Sequence, residues 1–147
     1  MLKEFSIFTD TATISIFDID AMKHRVSDSP DWWSIVEDEI IEINEGNIVF
    51  LGLGEDGNYT IKVLDTIENE AGSLNIHFPS GNVFIGAGED TSGGDLEPDG
   101  SDVIQGETLN FTPGNYSMKF TREGSVIELC FTPGLEKQNA IKEPVRI

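Results

Sequence analysis

An all-β fold, a single β-sandwich of jelly-roll-like type with about eight short strands, is what three features of the sequence predict. Apolar and polar residues alternate with period two along much of the chain, glycine and proline interrupt that alternation at short intervals, and only one segment carries helical spacing. The 147 residues are the size of one domain, and nine Phe, two Trp and two Tyr supply a packed interior. Residues 1–147 are therefore expected to form one domain.

The strands are read in order. Residues 12–18 (ATISIFD) alternate as a half-buried strand does. Residues 47–53 (NIVFLGL) are continuously apolar between Gly46 and Gly54, as for a strand buried on both faces. Residues 59–64 (YTIKVL) alternate again. Residues 74–78 and 82–85 flank Pro79-Ser80-Gly81, which predicts a hairpin. Residues 108–111, 116–120 and 126–131 complete the set, the last two joined by a turn ending in Gly124. The tetrapeptide FTPG occurs at Phe111 and again at Phe131, each time as a strand-end turn.

One short helix is expected near residues 31–40. Trp32, Trp33, Val36 and Ile40 are spaced helically behind the capping signal Ser29-Pro30-Asp31. Glu37, Asp38 and Glu39 would then crowd its C-terminal end, where the helix dipole disfavours them. Residues 86–106 (GAGEDTSGGDLEPDGSDVIQG) are acid and glycine with almost nothing apolar, and read as a long surface loop.

Charge sets the functional reading. Nine Lys and Arg face 27 Asp and Glu, a net charge of −18. No basic residue lies between Arg25 and Lys62, nor between Lys62 and Lys119. Solubility needs a magnitude of only about 2–8. Such a field repels nucleic acid and anionic membrane and attracts cationic proteins. The plainer alternative is an acidic surface with no partner in view.

The N-terminal residues contain no apolar run of signal-peptide length, no window is long and apolar enough for a membrane helix, and Cys130 is the only cysteine, so a cytoplasmic location is expected. The sequons at Asn58, Asn110 and Asn115 then read as chance matches. Gly52, Gly54 and Gly57 match a dinucleotide fingerprint, but a strand rather than a helix follows and Glu55 and Asp56 would repel phosphate, so a hairpin turn is expected there. Residues 95–101 resemble half of a calcium loop without its terminal bidentate acid. His24 and His77 have no spaced partner for zinc, and no nucleophile motif is present. The chain is expected to be neither an enzyme nor a cofactor or metal carrier.

Residues 43–50 (Ile43, then Gly46-Asn47-Ile48-Val49-Phe50), residues 59–63 and residues 109–118 (LNFTPGNYSM) resemble, in that order, the competence protein J group, small acidic bacterial β-sandwich proteins that inhibit a partner nuclease. The resemblance implies a sandwich and an inhibitory role, and carries over no site residue. The function expected is an immunity or inhibitor protein, a monomer or small homo-oligomer, that neutralises a basic toxin or nuclease. The residues expected to meet that partner are Trp32, Trp33, Glu37, Asp38, Glu39 and Glu42 near the helix, and Glu89, Asp90, Asp95, Asp99 and Asp102 in the loop. The alternatives are a calcium- or carbohydrate-binding module using Asp90, Asp95, Asp99 and Asp102, and a structural part of a bacterial assembly.

Overall fold

The structure, a computed structural model, describes residues 3–25 (the side chains of 23–25 aside), 35–88, 106–134 and 138–147. Nine strands run through them: β1 (Lys3–Thr9), β2 (Thr13–Asp18), β3 (Ile48–Gly52), β4 (Gly57–Leu64), β5 (Gly72–Phe78), β6 (Asn82–Ala87), β7 (Gly106–Asn110), β8 (Gly114–Glu123) and β9 (Val126–Pro133). A 3-10 helix (Ile19–Arg25) and one α-helix, α1 (Val36–Asn44), lie between β2 and β3. The strands form two sheets, one in the order β1-β4-β9-β8-β5 and the other β3-β2-β6-β7.

Eight of the nine strands fall where alternation and punctuation place them. The ninth, β1, carries the same signal: Phe5, Ile7 and Thr9 turn inward while Glu4, Ser6 and Phe8 turn out. Two predicted hairpins are corrected. Pro79-Ser80-Gly81 joins β5 to β6, and the glycine-rich turn after Gly52 joins β3 to β4, yet each pair lies in different sheets. Both are corners between sheets. A Pro/Gly turn looks the same in sequence whether its strands pair or part, because distant pairings such as β2 with β6 and β5 with β8 decide the matter. The β8–β9 hairpin forms as expected, with Gly124 at φ +60°. The β4–β9 pair is parallel, a departure from the jelly-roll pattern.

The core lies between the sheets. Inward residues of the five-stranded sheet include Ile7, Ile61, Val63, Ile76, Met118, Ile127 and Leu129, while its outer positions, Phe8 of β1 among the exceptions, are mostly polar, as the alternation of β4 requires. Both FTPG phenylalanines enter one aromatic cluster, Phe111 lying 5.0 Å from Phe131 and 5.2 Å from Phe78 by ring centroids. The four-stranded sheet differs. All six residues of β2, and the consecutive runs Ile48–Leu51 and Val83–Ala87, are buried, so both faces are covered. The 3-10 helix packs against β2 and β6, and α1 against β3, which explains the continuously apolar run of β3.

Residues 138–147 fasten α1 and two sheet edges together. Asn139 Nδ2 donates to the carbonyls of Ile43 (2.7 Å) and Asn75 (2.8 Å), and its Oδ1 accepts from the Asn75 N–H at 2.8 Å. Asn44 makes a matching pair of bonds with the main chain of Ile141. The Gly52 N–H donates to the carbonyl of Val145 and its carbonyl accepts from Ile147, so this segment lines the open edge of β3. Asn139→Ala strips the Asn75 edge and should cost about 2 kcal/mol. Hydrogen exchange checks it: the amides of Asn75 and Ile141 should lose protection while those of β2 and β6 keep theirs.

Candidate functional site

The site with the most unusual construction is α1. A nine-residue helix packed on a sheet ordinarily turns aliphatic residues inward and charges outward. Here Glu39 (8% exposed) and Glu42 (2%) join Ile43 on the buried side, while Ile35 (53%), Val36 (47%) and Ile41 (49%) lie in solvent. Only one other large apolar side chain among the described residues, Phe8, is as exposed. The outward row, four residues apart, is Glu37, Ile41 and Glu45, with half-buried Asp38 beside it.

The helix starts later than the sequence predicts. Its first residue is Val36, and Ile35 at the N-cap position offers no side-chain bond. Glu37, Asp38 and Glu39 thus occupy the first turn, where the dipole favours them, rather than the last. The C-terminus is closed by Gly46 at φ +79°, with N–H groups of Glu45, Gly46 and Asn47 returning to carbonyls of the last turn.

The buried acids have identifiable surroundings. Glu42 Oε1 accepts a 2.8 Å bond from Asn47 Nδ2. Burial holds the Glu39 carboxyl above its ordinary value of 4.5, and the Arg146 guanidinium offsets part of that rise. A raised folded-state pKa means the native chain holds this proton more tightly than the unfolded one. The resulting destabilisation is full above the folded pKa and vanishes below 4.5. Glu39→Gln should therefore stabilise the chain at pH 7. Denaturant titrations from pH 7 to pH 4 should show the variant's advantage shrinking as the parent carboxyl gains its proton.

Of the residues expected to meet a partner, the structure brings together Glu37, Asp38, Glu39 and Glu42 on α1, with Glu37 exposed, Asp38 half-buried and the other two turned inward. Trp32, Trp33, Glu89, Asp90, Asp95, Asp99 and Asp102 lie outside the described residues, as does the cap signal at Ser29. Ile35 and Ile41 were not singled out by sequence, and Val36, whose helical spacing with Ile40 suggests an inward face, is exposed instead. The described ends of the loop also shift: Gly86 and Ala87 belong to β6, and Gly106 to β7.

A shallow depression of about 360 Å³ at the glycine-rich turn is lined by Glu55, Asp56, Tyr59 and Arg122. Its cation is committed to the main chain. Arg122 donates to the carbonyls of Leu53, Gly124 and Ile147 and stacks 5.2 Å above the Tyr59 ring centroid. Glu55 and Asp56 therefore dominate the exposed charge of this turn. Among the described residues no group of three or more His, Cys, Asp or Glu could hold a metal ion, and no helix is long and apolar enough to cross a membrane.

The chain belongs to the family of unknown function DUF6386, which it matches over residues 1–147. Two solved structures are similar to it. One, described as crocagin biosynthetic gene J, superposes with a TM-score of 0.55 at 16% identity, over 88% of this chain and 95% of that one. The other is ComJ from Bacillus subtilis, inhibitor of the DNA degrading activity of NucA, with a TM-score of 0.51 at 11% identity, over 88% and 93%. The resemblance to the competence protein J group thus extends to the fold. No curated protein sequence matches the chain.

Proposed function

We propose that this member of DUF6386 is an inhibitor or immunity protein that neutralises a basic protein, a toxin or a nuclease, by electrostatic complementarity, acting in the cytoplasm and catalysing no reaction itself. One observation carries the reading: a net charge of −18, with no basic residue from 63 to 118, on a sandwich whose fold is also that of an inhibitor of DNA degradation. Opposite fields raise the rate of encounter, which matters most when the target is harmful while free. The contact surface is assigned to the outward acidic side chains of α1, Glu37 and Asp38, and to those of the 86–106 segment, with Trp32 and Trp33 as aromatic anchors.

The test is inhibition of a basic DNA-degrading enzyme from the same cell. Added in equal amount, the chain should halt plasmid degradation at low ionic strength. Raising salt from about 50 to about 500 mM should slow association by roughly tenfold or more. Undiminished degradation with the chain in excess at low salt overturns the reading.

A further inference from the structure

Helix α1 is built against its own amphipathicity. It buries two carboxylates and, with its N-cap residue Ile35, exposes three aliphatic side chains, although inverting those positions would satisfy both solvent and core. Local rules are broken in this way where function demands it. We propose that the outward face of α1, with Ile41 at its centre between Glu37 and Glu45 and with Ile35 and Val36 at its N-terminal end, is the docking surface for the cationic protein, and that it receives a segment carrying apolar side chains flanked by lysine or arginine. This deepens the inhibitor reading and rests on it for the identity of the partner's class.

The chemistry of the face selects its occupant. Ile41 offers an apolar anchor of the kind that fills a pocket, and it is rimmed by Glu37, Asp38 and Glu45. A second copy of the chain would set these carboxylates against their own counterparts, on molecules that each carry −18. An anionic membrane is repelled by the same rim. A segment with apolar residues between cations matches both parts: the acids govern encounter and salt dependence, and Ile41 governs how long the complex lasts.

The experiment uses the full-length chain, isotope-labelled for amide NMR, and two synthetic peptides of equal positive charge. One is amphipathic, with leucines along one face and lysines on both flanks; the other replaces the leucines by serine. The amphipathic peptide should bind at least about tenfold more tightly, with shifts centred on residues 35–45. Ile41→Asp should erase that difference, and Phe8→Ala, on the five-stranded sheet, should preserve it. Ile41 is exposed, so the variant's spectrum should match the parent's away from α1. Equal binding of both peptides, shifts spread over acidic residues of other elements, or α1 shifts that grow with protein concentration alone each overturn the proposal. The nuclease assay separates the two readings. Full inhibition by Ile41→Asp overturns the surface and leaves the inhibitor role; a chain that discriminates the peptides but inhibits nothing supports the surface and overturns the role.

Discussion

Asp18→Ala should unfold the chain more readily than any other single replacement of a charged residue in the described part of the molecule. Asp18 ends β2, is fully buried and collects four hydrogen bonds. Its Oδ1 accepts from the Ser80 hydroxyl (2.7 Å) and the Asp20 N–H (2.9 Å), and its Oδ2 from the N–H groups of Ser80 (3.0 Å) and Gly81 (2.7 Å). The side chain thus holds the β5–β6 corner against the strand that pairs with β6. Alanine leaves the buried donors unmatched, at a cost of roughly 3–5 kcal/mol, and the melting temperature should fall by roughly 10 °C or more. Asp18→Asn keeps one acceptor and should lose about half as much. Thermal unfolding at neutral pH reads both; a fall of under about 2 °C for alanine would remove this corner from the account.

Gly81→Ala should be as damaging, for a steric reason. Gly81 has φ +84°, and a Cβ there would stand 2.0 Å from the carbonyl oxygen of Phe111. That oxygen belongs to main chain held by the Phe111 N–H bond to the Gly81 carbonyl, 2.8 Å long, so it has little room to withdraw. Moving it shifts Phe111 away from Phe78 and Phe131. The loss should reach at least about 3 kcal/mol. Gly54→Ala is the control: φ is +83°, but nothing lies within 4 Å of the added carbon, so only the conformational penalty of about 1 kcal/mol remains. Equal melting temperatures for the two variants would show that crowding at Phe111 plays no part.

Much of this fold was legible because strand burial is written with period two. Ile61 and Val63, or Met118 and Phe120, alternate with polar neighbours, and the unbroken run in β3 announced a strand covered on both sides. Strand β1 shows the same alternation in Phe5 and Ile7 and was open to the same reading. What resisted was everything set by distant partners. Pro79-Ser80-Gly81 marks a turn but not the sheets it joins. Asn139 carries no local signal, since its role exists only where Ile43 and Asn75 meet. Helix α1 is the clearest case. Periodicity turns Val36 inward, but the inner face carries Glu42, bonded to Asn47, and Glu39, which feels the charge of the Arg146 guanidinium. An aliphatic residue turned outward on such a helix looks, in sequence, like any core residue.

That inversion is the claim on which the docking surface stands, and carboxyl labelling tests it directly. The folded chain is treated briefly with a carbodiimide and an amine, and modification of each acid is read by peptide mass spectrometry. Glu37 and Glu45 should react readily, and Glu39 and Glu42 at least about tenfold more slowly. Binding of the amphipathic peptide should then protect Glu37 and Glu45 and leave the inner pair as they were. Labelling of all four at one rate, or faster reaction at Glu39 and Glu42, would contradict the account.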